Sequence, residues 1–153
     1  MTVNIDITKE LKAVEKLIKS DINKEKTILG LYNYIFKSDG KKIRSRLNLI
    51  ASSSRKNSHR YKLASIIELL HTATLVHDDV VDNASTRRGA VSVNSLWSNA
   101  HGVLIGDYIY SKAFMLMVEI GKNDILAELA DATNDISQGE LIQLDAISNI
   151  EIS

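Results

Sequence analysis

The chain contains no cysteine and no proline in 153 residues. Without cysteine there is no disulfide framework, no thiolate metal site and no thiol nucleophile. Without proline, no helix carries a proline kink. Neither charge predominates: 19 Lys and Arg stand against 19 Asp and Glu, which argues against a nucleic-acid partner or a membrane-surface binder. The apolar runs are too short for a transmembrane segment, and Met1-Thr2-Val3-Asn4-Ile5-Asp6 lacks a signal-peptide pattern. A hairpin signal, an internal repeat and a low-complexity linker are also missing. The expectation is a soluble, cytoplasmic chain with one core of ordinary size.

What is present reads as helix after helix. Ile5, Leu11, Val14, Leu17 and Ile18 form one amphipathic stripe, and Ile28, Leu29, Leu31, Tyr34 and Ile35 a second. A third helix is expected from about Lys41 to Ser54, ended by the polar cluster Ser52 to Ser58, and a fourth from Arg60 to Asp82. Asn83 to Gly89 reads as a loop and Val93 to Asn99 as a short segment. Helices near Val103 to Ile120 and Asp124 to Ala146 follow, split by Gly121-Lys122-Asn123. The fold class is all-α, an antiparallel helical bundle with its site on facing inner surfaces.

The most informative stretch is His71-Thr72-Ala73-Thr74-Leu75-Val76-His77-Asp78-Asp79-Val80-Val81-Asp82, followed by Arg87-Arg88-Gly89. At about 100° per residue, Asp78 and Asp82 lie roughly 40° apart on one helix face, with His71 two turns earlier within roughly 20° of Asp78. Magnesium takes one or two protein carboxylates and completes its shell with phosphate oxygens and water. Arginines add forked, charge-assisted bonds to phosphate. An acidic triplet alone is more often a solvated helix end. Here Leu69, Leu70, Leu75, Val76, Val80 and Val81 surround the acids with apolar residues, and buried carboxylates need partners. Carboxylates beside paired arginines suit a magnesium-bridged diphosphate.

These residues resemble the first aspartate-rich motif of the trans-polyprenyl diphosphate synthases, the bacterial octaprenyl members most of all. The resemblance runs from about Gly40 to Leu144. Gly40-Lys41-Lys42-Ile43-Arg44 is similar to the family's Gly-Gly-Lys-Arg-x-Arg-Pro segment, and Leu104-Ile105-Gly106-Asp107-Tyr108 and Gly139-Glu140-Leu141-Ile142-Gln143-Leu144 to two further signatures. The resemblance implies that Asp78 and Asp82 hold Mg2+ with Asp79 in support, and that Arg87 holds the allylic diphosphate. It assigns Lys41, Arg44, His71 and Arg88 to isopentenyl diphosphate. The implied reaction is a 1'-4 head-to-tail condensation onto a farnesyl-type primer, giving a long all-trans product, octaprenyl by analogy, for quinone side chains. Ala73 and Thr74, one turn before the acids, would floor the pocket for the growing chain. A homodimer is expected for the complete protein.

The departures are specific. Asp39 replaces the first glycine of the basic segment, Lys42 its arginine and Ser45 its proline, and Asp39 is a candidate cap for the helix that follows. The family's later Lys-Thr pair and second aspartate-rich motif have no match. Residues 1–153 are therefore expected to be the N-terminal part of a single all-helical prenyl synthase domain, a truncated isoprenoid synthase bundle. The alternative is a non-catalytic paralogue that serves a complete synthase as partner subunit. Among the remaining residues, His77 either orients a carboxylate or packs in the core. His59 and His101 read as surface residues, and Trp97 as a core residue. Lys41 to Arg46, taken alone, would be a solvated helix start before it would be a nucleic-acid patch.

Overall fold

The computed structural model describes residues 6–37, 40–54 and 57–150, with side chains up to 147. Residues up to Ile120 form one compact unit and those from Gly121 onward a second.

Helix α1 (Ile7–Ile18) starts at Asp6, whose carboxylate accepts from the Lys9 N–H at 3.1 Å, and buries Leu11, Val14 and Ile18. The N-terminal residue of its expected stripe, Ile5, lies outside the described residues. Helix α2 (Lys26–Ile35) is capped by the Glu25 carboxylate, which accepts from Thr27 and Ile28. It buries Leu31 and Tyr32. Tyr32, absent from the expected stripe, is wholly enclosed and donates its hydroxyl to the Ile18 carbonyl at 2.7 Å. Burial satisfied by a hydrogen bond is why a tyrosine fits there.

Helix α3 (Ile43–Ala51) is shorter at both ends than the sequence pattern indicates. Its N-cap is Lys42, in the left-handed region at φ 47° with no side-chain capping bond, while Asp39 lies outside the described residues. Helix α4 (His59–Val81) is the long spine, burying Ile66, Leu69, Leu70, Ala73 and Val76. Arg60 fixes its first turn. The guanidinium donates to both oxygens of Glu10 (2.5 and 2.8 Å) and to the Leu49 carbonyl (2.7 Å), joining α1, α3 and α4.

Between α4 and the next long helix the chain makes a small antiparallel hairpin, β1 (Thr86–Arg87) with β2 (Ala90–Val91). No hairpin signal is visible in the sequence because the turn residues are Arg88-Gly89 rather than Asn-Gly. Both have positive φ, 52° and 78°, as a type I′ turn requires. A short helix, α5 (Val93–Leu96), follows. Trp97 is not a core residue: it is 39% exposed and stands edge-on to Tyr34, 5.1 Å between ring centres. Its aromatic partner is distant in sequence, which a local reading misses.

Helix α6 (Asn99–Ile120) runs antiparallel to α4: Val80 meets Gly102, His77 meets Gly106, and Lys62 pairs with Glu119 at 2.8 Å. Ile105, Ile109, Ala113, Met117 and Ile120 make its buried stripe. Gly102 and Gly106 are required by close approach. A Cβ at Gly106 would lie 2.2 Å from His77 Nε2, and one at Gly102 would lie 2.6 Å from a Val80 methyl. His59 and His101 are half-buried rather than surface residues, and His101 Nδ1 lies 2.8 Å from the Ser98 hydroxyl at the start of α6.

Helix α7 (Asn123–Ile150) forms the second unit, with Leu141, Ile142, Leu144 and Ile147 among its exposed apolar residues. Among the described residues, no helix is long and apolar enough to cross a membrane.

Candidate functional site

A cleft of about 780 Å³ opens between α2, the start of α3, α4 and the hairpin. Its apolar wall includes Ile18, Tyr34, Leu75 and Val93. Lys41, Arg44, His71, Arg87 and Arg88 all line it, although they come from three separate stretches of sequence. α4 brings His71 to the cleft, the α3 start brings Arg44, and the hairpin brings the two arginines.

Arg44 Nη1 lies 3.1 Å from His71 Nε2. A guanidinium only donates, so His71 accepts at Nε2 and carries its proton on Nδ1. Burial, then the neighbouring Arg44 charge, holds the imidazole below its ordinary value, against an opposing pull from Glu68. Arg87 donates from Nε to Asp79 Oδ1 at 2.8 Å, with Nη2 2.6 Å from the same oxygen. This hydrogen-bonded carboxylate pushes Arg87 still further toward its charged form. Asp79, 5% exposed, is thus buried against an arginine. Arg88 is exposed, with its left-handed backbone turning the guanidinium across Gly40, where a Cβ would lie 2.7 Å from Nη1. Backbone strain of this kind is concentrated at functional sites.

The other two acids occupy different ground. Asp78 is half-buried and Asp82 exposed as the C-cap of α4, and neither lines the cleft. Three carboxylates therefore stand at the carbonyl end of a helix that has no basic residue in its last turn. That end carries partial negative charge, which disfavours anions and draws cations. Among the described residues no group of three or more His, Cys, Asp or Glu could hold a metal by itself. A pair of carboxylates fits an ion that takes its remaining ligands from phosphate and water. His77 reaches the opposite way, across to α6, with Nε2 3.1 Å from the Val103 carbonyl and 3.4 Å from Asp107 Oδ1. Ala73 is completely buried; the half-buried Thr74 donates its hydroxyl to the His71 carbonyl at 2.9 Å, and neither lines the cleft.

The profile of one family, Polyprenyl synthetase, matches residues 6–153. The chain belongs to the polyprenyl synthetase family. It is 34% identical to the octaprenyl diphosphate synthase of Escherichia coli, over 99% of this chain and 48% of that one. It is 35% identical to an all-trans-nonaprenyl-diphosphate synthase (geranyl-diphosphate specific) of Rhodobacter capsulatus, over 92% of this chain and 44% of the relative. Among solved structures, a polyprenyl synthase from Caulobacter crescentus, complexed with calcium and isoprenyl diphosphate, superposes with a TM-score of 0.85 at 36% identity. That match covers 90% of this chain and 43% of the other. This polyprenyl synthetase chain spans just under half the length of the curated relatives it matches.

Two acids of this polyprenyl synthetase chain were not singled out from its sequence. Glu68 lines the cleft and accepts from the Ser45 N–H at 3.1 Å. Its spacing of three residues before His71, one helical turn, was the available signal. Glu15 on α1 pairs with Lys42 and draws that lysine's ammonium to it. Nothing local connects residues 15 and 42; only the packing of α1 beside the α3 start does.

Proposed function

We propose that this chain supplies the isopentenyl-diphosphate cleft and the first carboxylate cluster of a trans-polyprenyl diphosphate synthase that makes long products. The supporting observation is the single cleft shared by Lys41, Arg44, His71, Arg87 and Arg88. Four permanent cations and one imidazole facing an apolar wall suit a molecule with a diphosphate head and a hydrocarbon body. Lys41, Arg44 and Arg88 bind the isopentenyl diphosphate, with His71 accepting from Arg44 and orienting it. Arg87, anchored by Asp79, presents its outer edge to the allylic diphosphate.

In the reaction the allylic carbon–oxygen bond breaks and its electron pair leaves with the diphosphate. The isopentenyl double bond then attacks the allylic carbon, and a proton is lost to regenerate an alkene. The arginine's contribution is fixed positive charge where the leaving group gains negative charge. Asp78 and Asp82 are the residues that would hold Mg2+, which supplies further positive charge to the diphosphate oxygens when bound. With only two carboxylates on offer, metal binding depends on diphosphate being present. By the resemblance alone, Ala73 and Thr74 would floor the pocket for the growing chain, on a face of α4 outside the cleft described above. Ala73→Phe is expected to shorten the product distribution, read by chromatography of the dephosphorylated prenols.

The deciding experiment is incorporation of labelled isopentenyl diphosphate into prenyl products, primed by farnesyl diphosphate with Mg2+. Product formed by the chain alone, or product formed with its physiological assembly that is lost when this chain carries Asp78→Ala, supports the reading. Pyrophosphate binding without turnover under either condition points to the non-catalytic partner instead. Neither binding nor turnover ends the proposal.

A further inference from the structure

The start of α3 is tied to α4 by a contact that the family's basic segment, with its proline at this place, has no N–H to make. The Ser45 N–H donates to the Glu68 carboxylate at 3.1 Å, and the Ser45 hydroxyl donates to the Ala64 carbonyl at 3.0 Å. Ser45 is completely buried. The first turn of a helix exposes N–H groups that a capping side chain normally satisfies. Lys42, the N-cap here, makes no such bond, and Glu68 provides an acceptor from the neighbouring helix. Arg44 is the residue immediately before Ser45, and its guanidinium reaches His71, one turn beyond Glu68 on α4. The four residues close a ring: Ser45 to Glu68, along α4 to His71, across to Arg44, and back through the peptide bond.

We propose that Glu68 is a positioning residue, holding Arg44 against His71 through the Ser45 N–H so that the cleft is shaped for a diphosphate before one arrives. This rests on the diphosphate reading of the cleft. Its sign is opposite to that of simple electrostatics. Glu68 lines the same cleft as Lys41, Arg44, Arg87 and Arg88, so on charge alone its removal strengthens anion binding. As a positioning residue, its removal weakens binding. The cost of binding falls when the site is preorganised and rises when it is not.

The test is calorimetric titration of the full chain with inorganic pyrophosphate, in metal-free buffer near pH 8, where His71 is neutral. Glu68→Ala is expected to lower affinity about fivefold. Glu68→Gln keeps an acceptor oxygen and is expected to restore wild-type binding or exceed it. In an Arg44→Ala background, Glu68→Ala is expected to lower affinity no further. A Glu68→Ala chain that binds as tightly as wild type, or more tightly, overturns the proposal. Ring-nitrogen NMR of His71 without ligand gives an independent reading. The Nδ1–H tautomer of the wild type is expected to persist in Glu68→Gln and to be lost in Glu68→Ala, and persistence in Glu68→Ala overturns the proposal too. A wild-type chain that binds no pyrophosphate overturns the diphosphate reading, while the ring-nitrogen spectrum still decides the role of Glu68.

Discussion

The two ends of the stretch from His71 to Asp82 on α4 are built differently. At the His71 end, side chains are already bonded to one another: Arg44 to His71, Ser45 to Glu68, and the neighbouring Lys42 to Glu15. At the Asp82 end, Asp79 is engaged by Arg87, while Asp82 projects from the helix terminus and Asp78 lies outside the cleft's lining. On the proposed reading, the basic end is a receptor shaped by contacts among residues of the cleft. The acidic end, which lies outside the cleft except for Asp79, is where a cation would join the diphosphate. Preorganisation lowers the cost of binding at the first, and coordination chemistry sets it at the second.

Separate substitutions break this contrast in separate ways. Asp78→Ala is expected to reduce Mg2+-dependent condensation about 10³-fold while leaving metal-free pyrophosphate binding at the basic end unchanged; calorimetry and the incorporation assay together read both. Loss of metal-free binding as well would mean the ends are not distinct. Gly106→Ala acts on neither end directly: its Cβ collides with the His77 ring and must drive it from its place beside the Val103 carbonyl. A stability loss of about 2 kcal/mol is expected from chemical denaturation. Arg44→Ala is expected to weaken metal-free pyrophosphate binding about 30-fold, equivalent to about 2 kcal/mol, with little change in thermal stability.

The smallest effect concerns pH. His71 has its folded value depressed, by burial first and Arg44 second, so the unfolded chain holds the extra proton. Its contribution to stability is complete above the unfolded value near 6.5 and diminishes as pH falls below it. Melting temperatures measured from about pH 8 down to 5.5 should decline more steeply for the wild type than for His71→Gln. Parallel curves would remove His71 as the source.

The helices were legible because they follow from local rules, and the cleft residues because the chain resembles a known family. The 3.6-residue period gave α4 almost to its ends and α6 without its first turn, as α6 starts at Asn99 rather than Val103. The resemblance named Lys41, Arg44, His71, Arg87 and Arg88 before a cleft was visible. What escaped depends on partners distant in the chain. Tyr32 is buried because α1 offers the Ile18 carbonyl, and Trp97 sits at the surface because Tyr34 gives its ring an edge to meet. The hairpin was missed because Arg88 adopts a backbone shape normally reserved for glycine or asparagine. Glu68 was visible as a letter, but its use became clear only with the N-terminus of α3 beside it.

The continuity of α4 through residues 59–81 has one more consequence. His71 and Asp78 are seven residues apart on an unbroken helix, about 10 Å along its axis. Helical pitch therefore acts as a ruler between the proposed docking points of the two substrates. Side-chain changes can tune either mark on it, but they cannot move the marks apart. Inserting a single residue between them would swing one by about 100° around the barrel of the helix. Any drift in substrate spacing over evolution would have to come from the loops that deliver Arg44 and Arg87, with the spine itself left at fixed length.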